Sequence, residues 1–136
     1  MKKILLIIAL LLSINLWADL ITDGYAEVEK GNAKKGSELL TKACENGNAQ
    51  GCFTLGYMYK NGSGIKQDTQ KTIALWERAC MLGDSNGCIK VAMMYDKGKE
   101  IKQDHQKAKE LLSKACDLND DLGCELLNKL NAPKAK

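Results

Sequence analysis

The six cysteines of this chain recur at a fixed interval, and this interval restricts the possible folds more than any other feature of the sequence. They form two series whose members are 36 residues apart, with alanine before each cysteine of the first series and glycine before each of the second: Cys44, Cys80 and Cys116, then Cys52, Cys88 and Cys124. A period of roughly 20–50 residues is the signature of a repeat protein, in which each unit packs on its neighbours. The chain is therefore expected to be a linear stack of similar units.

The residues between the cysteines repeat as well. Residues 51–86 align with residues 87–122 without a gap, and 16 of the 36 positions are identical. The shared residues include the run Ile-Lys-Gln-Asp, which stands at 65–68 and again at 101–104. The period therefore belongs to a whole structural unit and not to the cysteines alone.

Each unit has the pattern of two helices, helix A and helix B, joined by a short connector. In helix A, Leu55 and Tyr59 have the spacing of one buried stripe. Gly62 is suited to end this helix, because glycine readily adopts the left-handed conformation of a C-terminal cap. Asp68 is suited to begin helix B, because a short carboxylate accepts hydrogen bonds from the free amides of the first turn. The pattern predicts helix A at about 51–61 and helix B at about 68–82, with an equivalent pair 36 residues later.

The two ends of the chain carry incomplete units, as expected where a stack must face solvent. Before the first cysteine, helix A is predicted over 20–30 and helix B begins after Asn32, which is expected to cap it. After Gly123, a single helix runs to about Asn131. The sequence thus predicts about seven helices, in units at about 19–50, 51–86 and 87–122 with a capping helix at 123–131.

The N-terminus has the features of a signal peptide. Lys2 and Lys3 supply a positive start, an unbroken apolar run follows at 4–12, and Ala18 is a small residue at the expected cleavage position. The apolar run is shorter than the ~20 residues that a membrane-spanning helix needs. We therefore expect residues 1–18 to be removed, leaving a repeat domain at 19–136 in the periplasm or outside the cell, with no membrane anchor.

An even number of cysteines in a short exported chain predicts disulfide bonds. The last turn of each helix B and the first turn of the next helix A hold a pair spaced C-x7-C, and antiparallel helices joined by a short loop bring these ends within disulfide reach. A zinc site would need closer cysteine pairs or more histidines than His105 alone, so no metal or other cofactor is expected. The expected pairs, one per unit, are Cys44–Cys52, Cys80–Cys88 and Cys116–Cys124.

The chain resembles two related families. The two full units are similar to the Sel1-like repeat, a relative of the tetratricopeptide repeat, through the pattern Leu55-Gly56-x-x-Tyr59-x-x-Gly62-x-Gly64-Ile65-x-x-Asp68 followed by Ala74, Trp76 and Ala79. The Ala-Cys and Gly-Cys pairs resemble those of the secreted Helicobacter cysteine-rich protein family, whose C-x7-C bridges join neighbouring helices. The second unit departs from the pattern, with alanine at 92 and glutamate at 100 in place of two glycines.

This resemblance implies an all-α fold, an α/α solenoid of Sel1-like, tetratricopeptide-like helix–turn–helix repeats with one disulfide per repeat. It also implies a right-handed superhelix whose A helices line an inner face that binds peptides or proteins. Members of the cysteine-rich family are described as penicillin-binding proteins with weak β-lactamase activity, so β-lactam binding is the alternative function that the resemblance implies.

The sequence itself offers little for catalysis, and no catalytic residue is assigned. Ser63-Gly64-Ile65-Lys66 has the Ser-x-x-Lys spacing of serine β-lactamases, but it falls in a connector, and neither S-D-N nor K-T-G occurs. His105 follows a helix cap and is expected to be a solvated surface residue. Removal of residues 1–18 would leave a net charge of about +1, from 18 basic and 17 acidic residues, which argues against a nucleic-acid partner.

The candidate binding residues lie on the A helices, at the positions left over once the buried stripe is assigned. Methionine adapts to irregular partners and tyrosine offers a large amphipathic contact. An alternative, equally weighted for Met58 and Met94, is that these two side chains belong to the core. The predicted function is an exported scaffold for a protein or peptide partner, and the candidate residues are Thr54, Tyr57, Met58, Asn61, Lys90, Met93, Met94 and Lys97.

Overall fold

The computed structural model describes residues 1–133, except for the side chains of residues 13–17. Over this range the chain is all-helical, and the helices pack in chain order, each against the next, as an α/α solenoid. The A helices are α1, α3, α5 and α7, and the B helices are α2, α4 and α6. The bounds are α1 Lys2–Glu29, α2 Ala33–Glu45, α3 Ala49–Asn61, α4 Thr69–Met81, α5 Ser85–Lys97, α6 His105–Asp117 and α7 Asp121–Asn131.

The ends of the helices in the two full repeats follow the predicted capping residues. Asp68 begins α4 by accepting a hydrogen bond from the Lys71 amide, and Asp104 begins α6 in the same way. Gly62 and Gly98 end α3 and α5 with φ of 65° and 60°. These positive values lie in the left-handed region, where a side chain is disfavoured and glycine is not.

The first helix B is capped differently from the prediction. Asn32 stands at the N-cap position of α2, but its side chain makes no capping hydrogen bond. Its Nδ2 instead donates to Glu27 Oε2 at 2.9 Å, back across the short turn from α1. Hydrogen bonds from Asn32 and Lys30, in this order, lower the pKa of Glu27 below its ordinary value. The turn in this incomplete unit is too short for a connector, and the asparagine holds its two ends together.

The predicted signal peptide and the first helix A form one continuous helix, α1. Every side chain from Met1 to Leu12 is exposed, and Leu20 is the first described residue of α1 that is even half-buried. Ile21 and Val28 then pack on the core. The side chains at 13–17, before the predicted cleavage position, and residues 134–136 at the predicted end of the domain lie outside the described residues. Among the described residues, no helix combines the length and hydropathy of a membrane span.

The cysteines pair as the spacing predicts. The disulfides are Cys44–Cys52, Cys80–Cys88 and Cys116–Cys124, with Cα–Cα distances of 4.5, 4.6 and 4.5 Å. Each bond joins the end of a helix B to the start of the next helix A, so every junction between units is covalently closed. The first two bonds are buried, and the third is half-buried.

The core runs along the stack and not within single units. Its largest cluster includes Ile73 and Trp76 of α4, Val91 of α5 and Leu112 of α6. Neighbouring units therefore share apolar contacts, as expected of a solenoid in which one unit cannot bury its own apolar face.

Candidate functional site

The A helices α3 and α5 enclose a groove of about 330 Å³, which we call the first groove. Six of the eight candidate binding residues line it: Tyr57, Asn61, Lys90, Met93, Met94 and Lys97. The remaining lining residues are Lys60, Trp76, Lys99 and Glu100. The A helices therefore bring the candidate residues of the two full repeats to a common surface.

Thr54 and Met58 do not face this groove, contrary to the prediction. Met58 is 5% exposed and packs with Leu40 and Leu55, so the alternative assignment of Met58 to the core is the correct one. Thr54 is 7% exposed, and its Oγ1 shares a hydrogen bond of 2.6 Å with the hydroxyl of Tyr25. Both side chains face the first unit, since Thr54 meets Tyr25 of α1 and Met58 meets Leu40 of α2. Met94 is half-buried and contacts both the core and the groove.

Aromatic side chains form one wall of the first groove. Trp76 reaches it from the helix behind, and its Nε1 donates to the Phe53 carbonyl at 3.0 Å. The Phe53 ring stacks on Trp76 with centroids 5.9 Å apart, and the Tyr57 ring lies 6.0 Å from both. Trp76 is 3% exposed, so it positions the wall, and Tyr57, at 43% exposed, presents the accessible surface.

Lysines form the rim of the first groove. The ammonium of Lys90 lies 5.7 Å from the centre of the Tyr57 ring, within range of a cation–π contact. Lys60 forms an ion pair with Glu100, which comes from the connector of the next unit. Lys97 and Lys99 complete the rim. The groove thus combines a largely apolar interior with a positively charged edge.

A second groove continues this surface towards the C-terminus. It has a volume of about 500 Å³ between α5, α6 and α7, and it shares Met93 and Lys97 with the first groove. Leu126 and Leu130 supply apolar surface, and Lys109 and Lys129 supply charge. His105 and Asp96 also line it, and His105 Nδ1 lies within hydrogen-bond distance of Asp96 Oδ1. Its remaining lining residues are Ala92, Leu112 and Ala132.

Two lysines of the first groove, Lys60 and Lys99, were not among the residues predicted to bind a partner. Lys60 lies three residues after Tyr57, which places both on one helical face, so this spacing was a signal that could have been used. Lys99 and Glu100 lie in a connector, where no helical periodicity indicates which way a side chain points. The second groove could not be predicted from the sequence, because it depends on where α7 packs against α5 and α6.

Ser63 and Lys66 are not among the residues that line the two grooves. Ser63 and Lys66 both lie exposed in the connector between α3 and α4. His105 is also exposed, and its Nδ1 contacts Asp96 Oδ1 at 2.9 Å. Within the described residues, no cluster of three or more histidine, cysteine, aspartate or glutamate side chains is arranged to hold a metal ion. Neither this geometry nor the comparisons below support the β-lactam alternative.

A family model of the Sel1 repeat matches the chain three times, at residues 12–48, 49–84 and 85–120. These matches follow one another without a gap and cover most of the sequence. A comparison with curated protein sequences gives no significant match.

Solved structures of repeat proteins have the same fold. A Helicobacter pylori protein, cysteine rich protein B, superposes with a TM-score of 0.69 and 27% identity, over 85% of this chain and 92% of its own. A Sel1 repeat protein from Oxalobacter formigenes gives a TM-score of 0.72 at 21% identity, over 82% of this chain. A protective antigen of uropathogenic Escherichia coli strains gives 0.71 at 20% identity, over 88% of this chain.

The neighbours differ in length. This chain spans 47% of the Oxalobacter protein and 26% of the Escherichia coli antigen, and it matches the Helicobacter protein nearly end to end. The low identity to the two longer proteins means that they share its fold and carry no information about its partner.

Proposed function

Because this chain belongs to the Sel1 repeat family, we propose that it is an exported, disulfide-stapled scaffold that binds a protein or peptide partner along the two grooves of its A helices. Sel1 repeats generally mediate protein–protein interactions. The partner would lie across α3, α5 and α7 as an extended segment, since the grooves follow one another along the stack.

The observation that carries this proposal is the composition of the shared surface. Met93 lies in both grooves and is 38% exposed, although it is a large apolar side chain. Tyr57 is similarly accessible. Exposed methionine and tyrosine side chains beside charged groups are typical of peptide-binding surfaces. The apolar groups contact the side chains of the peptide, and the charged groups around them make polar contacts.

The cysteines support the exported state. Three disulfides and no free cysteine among the described residues fit an oxidising compartment. The similar protein from Helicobacter pylori is also described as cysteine rich. The exposed side chains of residues 1–12, 18 and 19 fit a segment that does not contribute to the core of the repeats.

Export is tested by expressing the full chain in a Gram-negative host and measuring the mass of the protein from the periplasm. We expect a chain that begins at Asp19 and contains three disulfides. An uncleaved chain with reduced cysteines, retained in the cytoplasm, would contradict the export part of the proposal.

Binding is tested by selecting short random peptides on the immobilised oxidised protein and measuring their affinities. Met93→Ser should weaken the selected peptides by about fivefold or more, because it removes apolar contact area from both grooves. Met81→Ser is the matched control, since Met81 is a 68% exposed methionine of α4 that lines neither groove. Failure to select any peptide, or equal losses in the two variants, would contradict the binding part.

A further inference from the structure

We infer that the partner segment of this groove is acidic, with carboxylates that meet the lysine rim and apolar side chains that enter the grooves. This inference rests on the proposed function, since it names the chemistry of the segment that the A helices would bind.

Positive charge is concentrated at the two grooves and is not spread evenly along the chain. Six of the 20 basic residues line the two grooves, whereas only two of the 17 acidic residues do: Lys60, Lys90, Lys97, Lys99, Lys109 and Lys129, with Asp96 and Glu100. The rest of the sequence then holds 14 lysines and arginines against 15 acidic residues. The excess positive charge of the whole chain is thus concentrated on this one surface.

Both carboxylates that line the grooves already have a side-chain partner within the protein. Glu100 forms an ion pair with Lys60, and Asp96 is hydrogen-bonded to His105. Lys90, Lys97 and Lys99 border the first groove with no salt bridge among the described residues. Lys90 contacts the Tyr57 ring, and Lys97 and Lys99 have no acidic partner there, so a segment carrying carboxylates would find complementary charge along the rim.

The apolar lining of the two grooves favours a peptide over other polyanions. Tyr57, Met93 and Met94 line the first groove, and Leu126 and Leu130 line the second. A nucleic acid would present a phosphate chain without aliphatic side chains, whereas a peptide supplies both carboxylates and apolar groups. The chain's own C-terminal residues 133–136 have the wrong charge for this surface, since they contain two lysines and no acidic residue.

The test starts from the peptides selected on the oxidised protein and reads their charge. We expect enrichment in aspartate and glutamate alternating with leucine, methionine or aromatic residues. Affinity should also fall as salt is raised from low to high concentration, because exposed charge pairs are screened. Selected peptides that are neutral or basic, bound independently of salt, would overturn the acidic partner and leave the peptide-binding scaffold standing. No selected peptide at all would overturn both.

Three variants separate the rim from the general charge of the protein. Lys90→Gln should weaken the acidic peptide about threefold, and Glu100→Gln should strengthen it about twofold because Lys60 is then released to bind it. Lys66→Gln is the control, since Lys66 is exposed and lines neither groove. Equal effects at Lys90 and Lys66, or weaker binding in Glu100→Gln, would overturn the assignment.

An unstructured oligothymidine competitor distinguishes a peptide site from a general polyanion site. Displacement of the peptide only at large excess would support the inference. Tighter binding of the oligonucleotide than of the selected acidic peptides would overturn it.

Discussion

Where helix A crosses helix B, the first full repeat places Trp76 against Gly56, and the second full repeat places Leu112 against Ala92 at the same positions. A Cβ atom on Gly56 would lie 2.5 Å from Trp76 Cδ1 and 2.6 Å from its Nε1. Ala92 carries that Cβ atom and is fully buried, together with the smaller Leu112. The two repeats therefore fill the same contact differently. The first combines no side chain on helix A with a large one on helix B, and the second combines a methyl group on helix A with a smaller side chain on helix B.

This exchange has a consequence for the grooves. The indole of Trp76 is large enough to reach the first groove behind Tyr57, where it holds an aromatic wall. Leu112 lines the second groove, whose wall is aliphatic. The two repeats thus share one backbone arrangement but line their grooves with different side chains.

The disulfide bonds that join the units differ in burial. Removing one of them should give the largest loss of stability. Replacing Cys80 and Cys88 together by alanine should lower the free energy of unfolding by about 2.6 kcal/mol, because the unfolded chain regains the entropy of a short closed loop. Urea denaturation of the oxidised variant measures this loss. A change below about 1 kcal/mol would mean that packing alone holds the two full repeats together.

The same bonds should differ in accessibility to a reductant. Cys116 and Cys124 are half-buried, whereas Cys80 and Cys88 are 1% and 0% exposed. Under native conditions, mass spectrometry of alkylated protein should therefore find the C-terminal bond reduced first. Simultaneous reduction of all three bonds would indicate that reduction requires global unfolding.

The second largest effect concerns the packing exchange itself. Gly56→Ala should destabilise the protein by about 2 kcal/mol, because the new methyl group overlaps the Trp76 ring and displaces its hydrogen bond to Phe53. In a Trp76→Leu background, the same substitution should cost less than about 0.5 kcal/mol, since it then reproduces the Ala92 and Leu112 arrangement. Thermal or urea unfolding of the four proteins of this cycle gives the coupling. Equal losses of stability on Gly56→Ala in both backgrounds would show that the Trp76 ring is not the reason why position 56 requires glycine.

The ends of the A helices provide a smaller contrast. A Cβ atom on Gly98 would lie 2.5 Å from Gln103 Cβ, whereas one on Gly62 would lie 3.5 Å from Gln67 Cβ. Both glycines have positive φ, so alanine should cost roughly 1 kcal/mol at Gly62 and about 1 kcal/mol more at Gly98, where the connector must also shift. The unfolding free energies of the two single variants measure this difference. Equal losses would contradict the conclusion that the connector lies closer to the helix end in the second repeat than in the first.

The smallest effect is a pH dependence at the start of α7. Hydrogen bonds from the Ser85 hydroxyl and the Gly123 amide, in this order, hold the pKa of Asp120 below its ordinary value. A carboxyl whose pKa is depressed by folding contributes stability above its unfolded pKa, near 3.8, and loses it as the pH falls through the folded pKa.

Ser85→Ala should therefore reduce stability slightly at pH 6 and flatten its decline below about pH 4. The position equivalent to Ser85 one repeat earlier is Ala49, which has no hydroxyl to donate to Asp84. Ala49→Ser is the reciprocal variant, and we expect it to add a decline in acid. Melting temperatures across this pH range compare both variants with the parent, and parallel curves would contradict the role of Ser85.

Much of the fold follows from residues that act locally. Gly62 and Asp68 mark helix ends through their own backbone and side-chain preferences, and both act as predicted. The pairing of Cys80 with Cys88 follows from a loop so short that the two helix ends cannot separate. Asn32 shows the limit of this reasoning, because a nearby carboxylate competes for the side chain that would otherwise cap the helix.

The sequence by itself thus determined the repeat, the succession of helices and the disulfide partners, because each depends on a periodic pattern or on residues close in the chain. Only the tertiary structure decided which side of each A helix is open. Thr54 and Met58 share a helix with Tyr57, but Thr54 faces α1 and Met58 faces the core. Lys60 contacts Glu100, which lies 40 residues later in the chain and belongs to the next unit. Exposure at a groove depends on which neighbouring helix covers a face, and that is set by packing between units.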